Sequence, residues 1–468
     1  MTQADTAEPV ERRALAERKA ERTAGTVTQS AGQTDSGLLR LREAAKRDAR
    51  LRFNNLLHHL SIDRLERAYY ALNRHAAAGV DGCSWADYGE QLLARLYELH
   101  QRIHTGRYRP RPSKRIWLAK DDGGQRPIGI ATLEDKIVQQ ALVWVLEAIY
   151  EVDFLGFSYG FRPGRGQHQA LDAVYMALTT RKVSWVLDAD IQGFFDQLDH
   201  EWLMLFLSHR VRDRRVLELV SRTLRAGVEE NGEVEPTRQG TPQGAVLSPL
   251  LANLYLHYVL DLWVNQWRQR HARGKVYIVR YADDFVLGFQ YQDDGQAFHE
   301  ALSHRLAQFG LKLHPDKTRL LEFGRFALDN RQARGAGKPE TFAFLGFTHI
   351  CAKRRSDQAF TIRRHTVAKR QRATLQRIRQ WLRRNLMVNV HDQGRWLHRV
   401  LSGLIQYYGV PENRRSLNAF RTEICRAWYK ALRRRGNKRP LNWHHMRMLV
   451  ERWIPSVGAV HPYPNQRF

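Results

Sequence analysis

Val276-Tyr-Ile-Val-Arg280, Tyr281-Ala-Asp-Asp284 and Phe285-Val-Leu-Gly-Phe289 follow one another through the middle of the chain. The two flanks are short strand-like runs of β-branched and aromatic residues. The reading is a β-hairpin whose tip holds two adjacent carboxylates, Asp283 and Asp284. Adjacent carboxylates repel and raise each other's pKa unless something positive sits between them. A divalent metal is the usual remedy, and paired Asp oxygens suit Mg²⁺. The competing reading is a solvated turn, because Asp is a common turn residue.

A second acidic strand end strengthens the metal reading. Val183-Ser-Trp-Val-Leu-Asp-Ala-Asp190 reads as a strand with Trp185, Leu187 and Ala189 on one face and Val186, Asp188 and Asp190 on the other. It runs into Ile191-Gln-Gly-Phe-Phe-Asp196, where Gly193 permits a sharp change of direction. A carboxylate ending one strand beside an Asp pair on a hairpin can hold two metals about 3.5–4 Å apart. Such a pair suits in-line phosphoryl transfer, one ion activating a 3′ oxygen and the other stabilising pyrophosphate. Taken alone, Asp190 reads equally well as an exposed strand-end acid.

The chain has 468 residues, 43% hydrophobic and 10% aromatic, enough for two or three domains with a large core. Its formal net charge of +27 implies a polyanionic partner, most often nucleic acid. No uninterrupted apolar run is long enough to span a bilayer, and the N-terminus has no apolar signal segment, so no membrane is expected. Cys83, Cys351 and Cys425 form no zinc spacing, which makes a reduced, cytoplasmic protein the default. The charge is uneven. Thr361 to Pro440 holds 21 Lys and Arg against Asp392, Glu412 and Glu423, hence +18 of the +27. Trp381, Trp396, Tyr407, Tyr408 and Trp428 are interleaved with it, a pattern suited to a phosphate backbone and stacked bases. A basic solvated helix face is the blander reading.

Residues 1–36 read as a disordered tail. A basic helical stretch is expected from Leu38 to His59. Ser61 caps the next helix, and one long amphipathic helix runs from Trp85 to His104. Asp121-Asp-Gly-Gly124 is a hairpin turn. Gln239-Gly-Thr-Pro-Gln-Gly244 is a loop, followed by Ser248 as helix cap and a buried helix from Leu250 to Trp267. Residues 327–340 read as an exposed insertion, and Thr366 onward as helical to Trp453.

In order, the chain carries Ala78-Gly-Val-Asp-Gly82, Gly106-Arg-Tyr-Arg-Pro110, Arg126-Pro-Ile-Gly-Ile-Ala-Thr-Leu-Glu-Asp-Lys-Ile-Val-Gln-Gln140 and Ser158-Tyr-Gly-Phe-Arg-Pro-Gly-Arg165. Asp190-Ile-Gln-Gly-Phe-Phe-Asp196, Gly240-Thr-Pro-Gln-Gly-Ala-Val-Leu-Ser-Pro249, Tyr281-Ala-Asp-Asp284, Leu313-His-Pro-Asp-Lys-Thr318 and Phe344-Leu-Gly-Phe347 follow. Together these resemble the reverse transcriptase/maturase proteins encoded by bacterial group II introns, from about Leu56 to the C-terminus.

The resemblance implies an α+β right-hand polymerase with an α-helical thumb/maturase domain. The corresponding division is a tail (1–36), an N-terminal helical extension with fingers (37–110), fingers and palm (111–350) and a basic thumb/maturase domain (361–468). It assigns Asp190, Asp283 and Asp284 as catalytic metal ligands, with the Ile191 backbone carbonyl, for two Mg²⁺ ions that Mn²⁺ could replace. Phe195 matches the residue under the incoming sugar that rejects a 2′-hydroxyl; an ordinary core aromatic is its alternative. Gln243, Lys120 and Arg126 match the dNTP site. Lys317 matches a palm lysine that could protonate pyrophosphate. Phe344, Leu345, Gly346 and Phe347 match the primer grip. Tyr159, Arg162 and Arg165 would contact template or shape the fingers, while His168, His200 and His257 read as structural.

The basic C-terminal region, including Arg433, Arg434, Arg435 and Lys438, would grip intron RNA. The implied partners are group II intron RNA, an RNA template with a DNA primer, dNTPs and target DNA. No zinc or His/Asn-rich nuclease segment follows the thumb region, so a DNA endonuclease domain is not expected. The implied function is RNA-directed DNA synthesis with assistance to intron splicing and mobility. A freestanding domesticated reverse transcriptase and an RNA-binding maturase with an idle polymerase are the alternatives.

Overall fold

A computed structural model describes residues 36–119, 124–354, 356–435 and 442–466. Its strands are β1 (Ser113–Ala119), β2 (Gln125–Ile130), β3 (Trp185–Asp190), β4 (Val228–Glu230), β5 (Glu233–Glu235), β6 (Val276–Tyr281), β7 (Asp284–Phe289), β8 (Arg319–Glu322), β9 (Phe342–Phe344), β10 (Phe347–Lys353) and β11 (Phe360–Thr366). They form three sheets, ordered β2-β1-β4-β5, β6-β7-β3-β8 and β11-β10-β9. Alternating sheets and helices make this a mixed α+β protein.

The second sheet positions the site. It is antiparallel throughout, with β7 paired to both β6 and β3. Strand alternation sorts its side chains as the sequence pattern implies. Leu187, Ala189, Phe285, Leu287 and Phe289 enter the main core against the helices Leu133–Asp153 and Ser248–Leu256. Val186, Val279, Val286 and Leu321 enter a second core with Phe342, Phe344 and Phe347 of the third sheet. Asp188 and Asp190 share the face of Val186, so they look toward that third sheet. A third core, around Trp396, Ile424 and Trp428, joins the C-terminal helices Ala368–Arg384, Val390–Tyr408, Arg414–Arg433 and Trp443–Trp453.

Several local expectations change. The first basic helix spans only Ser36–Arg47, and a short 3₁₀ turn follows at Leu57–His59. The Trp85–His104 segment is two helices, Trp85–Gly89 and Leu92–His104. Ser61 does cap its helix, accepting from the Arg64 N–H at 3.3 Å. Ser248 caps nothing; it is the first helical residue, and its hydroxyl donates to the Pro242 carbonyl at 3.0 Å. The N–H groups entering that helix are taken by Gln139 Oε1, 2.9 Å from Val246 N and 3.3 Å from Leu247 N. A side chain distant in sequence has done the capping. The segment 327–340 is largely exposed, but it carries a short helix, Ala327–Ala333. β11 crosses residue 361, so the helical region proper starts at Ala368. Residues 1–35 of the expected 1–36 tail lie outside the described residues, as does most of the Asp121–Gly124 turn, and Ser36 begins the first helix. No described helix is long and apolar enough to cross a membrane.

Candidate active site

Asp190 ends β3, and Asp284 begins β7 directly opposite it in the register. Facing residues of an antiparallel pair project from the same side of the sheet. Asp283 precedes Asp284 in the two-residue turn from β6 to β7, whose first central residue, Ala282, has φ +57°. The three acids are thus electrostatic neighbours. Burial raises the pKa of Asp283, and Asp190 pushes it the same way, while Arg126 and Arg280 pull it down. Burial raises that of Asp284 well above the carboxylate range, and Asp188, Asp283 and Asp190 add to the rise. Asp188 is a fourth acid on this face; burial pushes it up to about 6.

Among the described residues, no three acidic, His or Cys side chains close on one point as a finished ion cage. Asp284 is turned toward the third sheet, where the Leu345 backbone N–H pulls its pKa down against the rise. Asp190 is bound by an ammonium: Lys317 Nζ lies 2.6 Å from its Oδ2. The donor set nonetheless fits a divalent cation. All donors are hard oxygens, their mutual repulsion calls for positive charge, and Lys317 already stands in for it at Asp190.

The turn is held from below. Arg280, in β6, is fully buried. Its Nε and Nη2 donate to the two Asp261 oxygens at 2.7 and 2.6 Å. Its Nη1 donates to Asn253 Oδ1 at 3.1 Å and to the Ala282 carbonyl at 2.9 Å. Asn253 Nδ2 in turn donates to the Gly160 carbonyl at 2.7 Å. Gly160 must be glycine: a Cβ there would lie 2.3 Å from the Ala282 nitrogen. Removing one partner of so buried an ion pair costs about 3–5 kcal/mol. Sequence reading missed Arg280 and Asp261. The available signal was a lone charge inside an apolar strand and another inside an apolar helix, since such charges must pair.

Phe194 is buried, whereas Phe195 is half-buried and edge-on to it at 5.4 Å between centroids. Both rings touch the main core, Phe194 from within and Phe195 at its margin. Gln243 Nε2 is 3.4 Å from Asp196 Oδ1, and the Gln243 backbone carbonyl accepts from the Gly129 N–H at 2.8 Å, pinning the loop to β2. Arg126, on β2, is exposed and close enough to depress Asp283. Lys120 lies outside the described residues. Ile191 is buried and bridges Leu313 beside Asp190.

Phe344 and Phe347 are buried on either side of a turn whose central residues, Leu345 and Gly346, have φ +47° and +81°. This geometry is that of a tight hairpin. Helices from the C-terminal region hold it: Tyr407 donates to the Leu345 carbonyl at 2.8 Å, and a Cβ on Gly346 would meet Arg370 at 2.7 Å. Arg162 is buried against Glu151 and the carbonyls of Leu155 and Ser158, and Arg165 bonds the Gly156 carbonyl, so both shape their loop.

The basic C-terminal region also sorts by burial. Trp381 stacks on Trp396 at 3.8 Å, and Trp428 is fully buried, donating to Gln393 at 3.0 Å. These three pack the helices, which corrects the expectation that they offer stacking faces for bases. Arg433 and Arg434 are exposed, while Arg435 bonds the Val388 carbonyl. Lys438 lies outside the described residues.

Asp190 at the end of β3 thus faces Asp284 at the start of β7, with Asp283 preceding Asp284 in the β6–β7 hairpin. Residues 118–349 match the family model described as reverse transcriptase (RNA-dependent DNA polymerase). Protein YkfC of Escherichia coli K12 is 36% identical over 239 residues, covering 45% of this chain and 62% of that protein. The group II intron-encoded protein LtrA of Lactococcus lactis subsp. cremoris is 38% identical over 180 residues, 38% of this chain and 30% of LtrA. An uncharacterised 91 kDa protein in a cob intron of Schizosaccharomyces pombe is 39% identical over 165 residues, 35% of this chain and 20% of that protein. The chain thus spans between 20% and 62% of these relatives. Over these residues the chain is similar to group II intron reverse transcriptase/maturase proteins.

Proposed function

We propose that the protein is an RNA-directed DNA polymerase that also binds group II intron RNA and assists its splicing and mobility. The observation that carries this reading is the pairing of Asp190 with Asp284 across β3 and β7, with Asp283 in the adjoining turn and Arg126 near enough to act on it.

In this reading the β1–β2 region forms fingers, the central sheet the palm, and the helices from Ala368 onward a thumb/maturase domain, close to the division 1–36, 37–110, 111–350 and 361–468. Asp190, Asp283 and Asp284, with the Ile191 carbonyl, hold the divalent cations. Mg²⁺ bound there supplies charge neutralisation and Lewis acidity at the phosphoryl centre, and Mn²⁺ could substitute. Arg126 and Lys120 hold the triphosphate of an incoming dNTP, a fork donor and a point charge. Phe195 lies under the sugar, and Gln243 lines the nucleotide site. Lys317 is poised to protonate pyrophosphate. The Phe344–Phe347 turn supports the primer end, and its links to Tyr407 and Arg370 couple the thumb helices to the palm. Intron RNA and target DNA are the further polyanions that a net charge of +27 suits.

The test is extension of a DNA primer on an RNA template with dNTPs and Mg²⁺. Asp283→Asn and Asp190→Asn should each lose several orders of magnitude in rate. RNA binding should survive, because the cationic surface is elsewhere. Near-normal extension by either variant would overturn the polymerase assignment. Splicing is tested separately, by protein-dependent splicing of a group II intron transcript at moderate salt.

A further inference from the structure

Ala282 occupies the left-handed region, which a residue with a Cβ adopts only when its surroundings hold it there. The holding contact is visible. Arg280 Nη1 donates to the Ala282 carbonyl at 2.9 Å, and that carbonyl belongs to the same planar peptide as the Asp283 N–H. Fixing the carbonyl fixes the plane from which Asp283 departs. Arg280 is itself immobilised by both Asp261 oxygens and by Asn253. Asp261 closes a π-helical turn, His257–Asp261, inside an otherwise α-helical rod. Such wide turns shift the register of side chains and are frequent at functional sites. From above, the Gly160 backbone presses on the same turn.

An apolar pair would fill this interior with at least equal stability, since burying two charges is costly. What an apolar pair could not do is bond the Ala282 carbonyl. We propose that Arg280 is a positioning residue: clamped by Asp261 and Asn253, it fixes the Ala282–Asp283 peptide and thereby sets where the Asp283 carboxylate meets a divalent cation. This rests on the reading of Asp283 as a metal-holding carboxylate.

The experiment uses the full chain and two variants. Arg280→Lys keeps the charge and loses the fork. Arg280→Met with Asp261→Leu removes both charges and leaves neither orphaned. Mn²⁺ binding is measured from the electron paramagnetic signal of the free ion, and single-nucleotide extension is followed across Mg²⁺ concentrations. Both variants should weaken Mn²⁺ binding by about tenfold or more, the range for a lost supporting contact to a ligand. The half-saturating Mg²⁺ should rise in step, and affinity for primer-template should stay unchanged. A merely structural role would lower the unfolding midpoint without moving either metal readout. Folded variants with wild-type Mn²⁺ affinity and Mg²⁺ dependence overturn the proposal. If the double variant fails to fold, Arg280→Lys alone decides.

Asp283→Asn is measured beside them. If it alone weakens Mn²⁺ binding, the metal reading of Asp283 stands and the positioning role falls. If it too binds Mn²⁺ normally, both fall.

Discussion

The Lys317 ammonium lies 2.6 Å from Oδ2 of Asp190, on the carboxylate that the proposed mechanism assigns to a divalent cation. The lysine side chain is 60% exposed and the aspartate 27%, so solvent screens the pair. Contacts of this kind contribute at most about 1 kcal/mol. The lysine is therefore a weak competitor for the carboxylate and can yield to a bound ion. In the proposed mechanism, the freed ammonium would face the phosphates of the incoming nucleotide.

Lys317→Met should then act in opposite directions on binding and turnover. Mn²⁺ affinity of the protein alone should rise, by no more than about fivefold. Turnover should fall by about a hundredfold, the usual contribution of a general acid. Metal titration and single-turnover extension measure the two separately. Tighter metal binding with unchanged turnover would leave Lys317 as a neutraliser of Asp190 and no more.

Phe195 is half-buried, packed against the main core beside the fully buried Phe194. If its ring underlies the sugar, Phe195→Ala should improve the use of rNTPs relative to dNTPs by on the order of tenfold or more. The measured quantity is the ratio of kcat/KM for matched bases. An unchanged ratio in a folded variant would return Phe195 to the core.

Glu147 gives a pH prediction away from the chemistry. Burial pushes its carboxyl up to about 8, and Glu151 one turn on adds repulsion. Glu151 is itself held by Arg162. A raised folded-state pKa contributes stability that is full below the ordinary carboxylate value and is lost as pH rises through 8. Glu147→Gln should therefore gain unfolding temperature over the parent as pH rises from 5 to 8 and level off above. The gap should reach ~1–3 °C, discounted for partial solvent access. A gap that is constant with pH would mean the carboxyl is already charged in the folded protein.

The hairpin at Tyr281–Asp284 and the end of β3 were legible because strand periodicity and turn chemistry are local. They placed Asp190, Asp283 and Asp284 on neighbouring elements, and alternation gave the face of Asp188. The Arg280–Asp261 pair was not legible, because it joins a strand to a helix in a way no spacing encodes. Gln139, reaching across the fold to the entrance of the Ser248–Leu256 helix, escaped for the same reason, and Ser248 looked like a cap in its absence. The tryptophans of the basic region read as stacking faces because composition carries no burial. Helix packing decided otherwise for Trp381, Trp396 and Trp428.

The same burial sharpens which cations of that region should meet RNA. Arg433 lies over the Tyr429 ring at 5.7 Å and is exposed, as is Arg434. Arg435 is spent on the Val388 carbonyl, and burial lowers its pKa. Phosphate contacts release counterions, so each one lost lowers the steepness of log K against log salt by about 0.7–0.9. The double change Arg433→Ala with Arg434→Ala should weaken binding to a folded group II intron transcript and flatten its salt dependence by up to two such steps. Extension of a preannealed primer-template at low salt should fall less, because the metal site is untouched. Arg435→Ala is the contrasting control: it should lower the unfolding midpoint by removing a tie between two helical segments, with the salt slope unchanged. Fluorescence anisotropy across a salt series, with thermal unfolding alongside, separates these outcomes. If the double variant keeps both affinity and slope, this end of the Arg414–Arg433 helix is a solvated face, and the RNA grip belongs to the basic helix Ser36–Arg47.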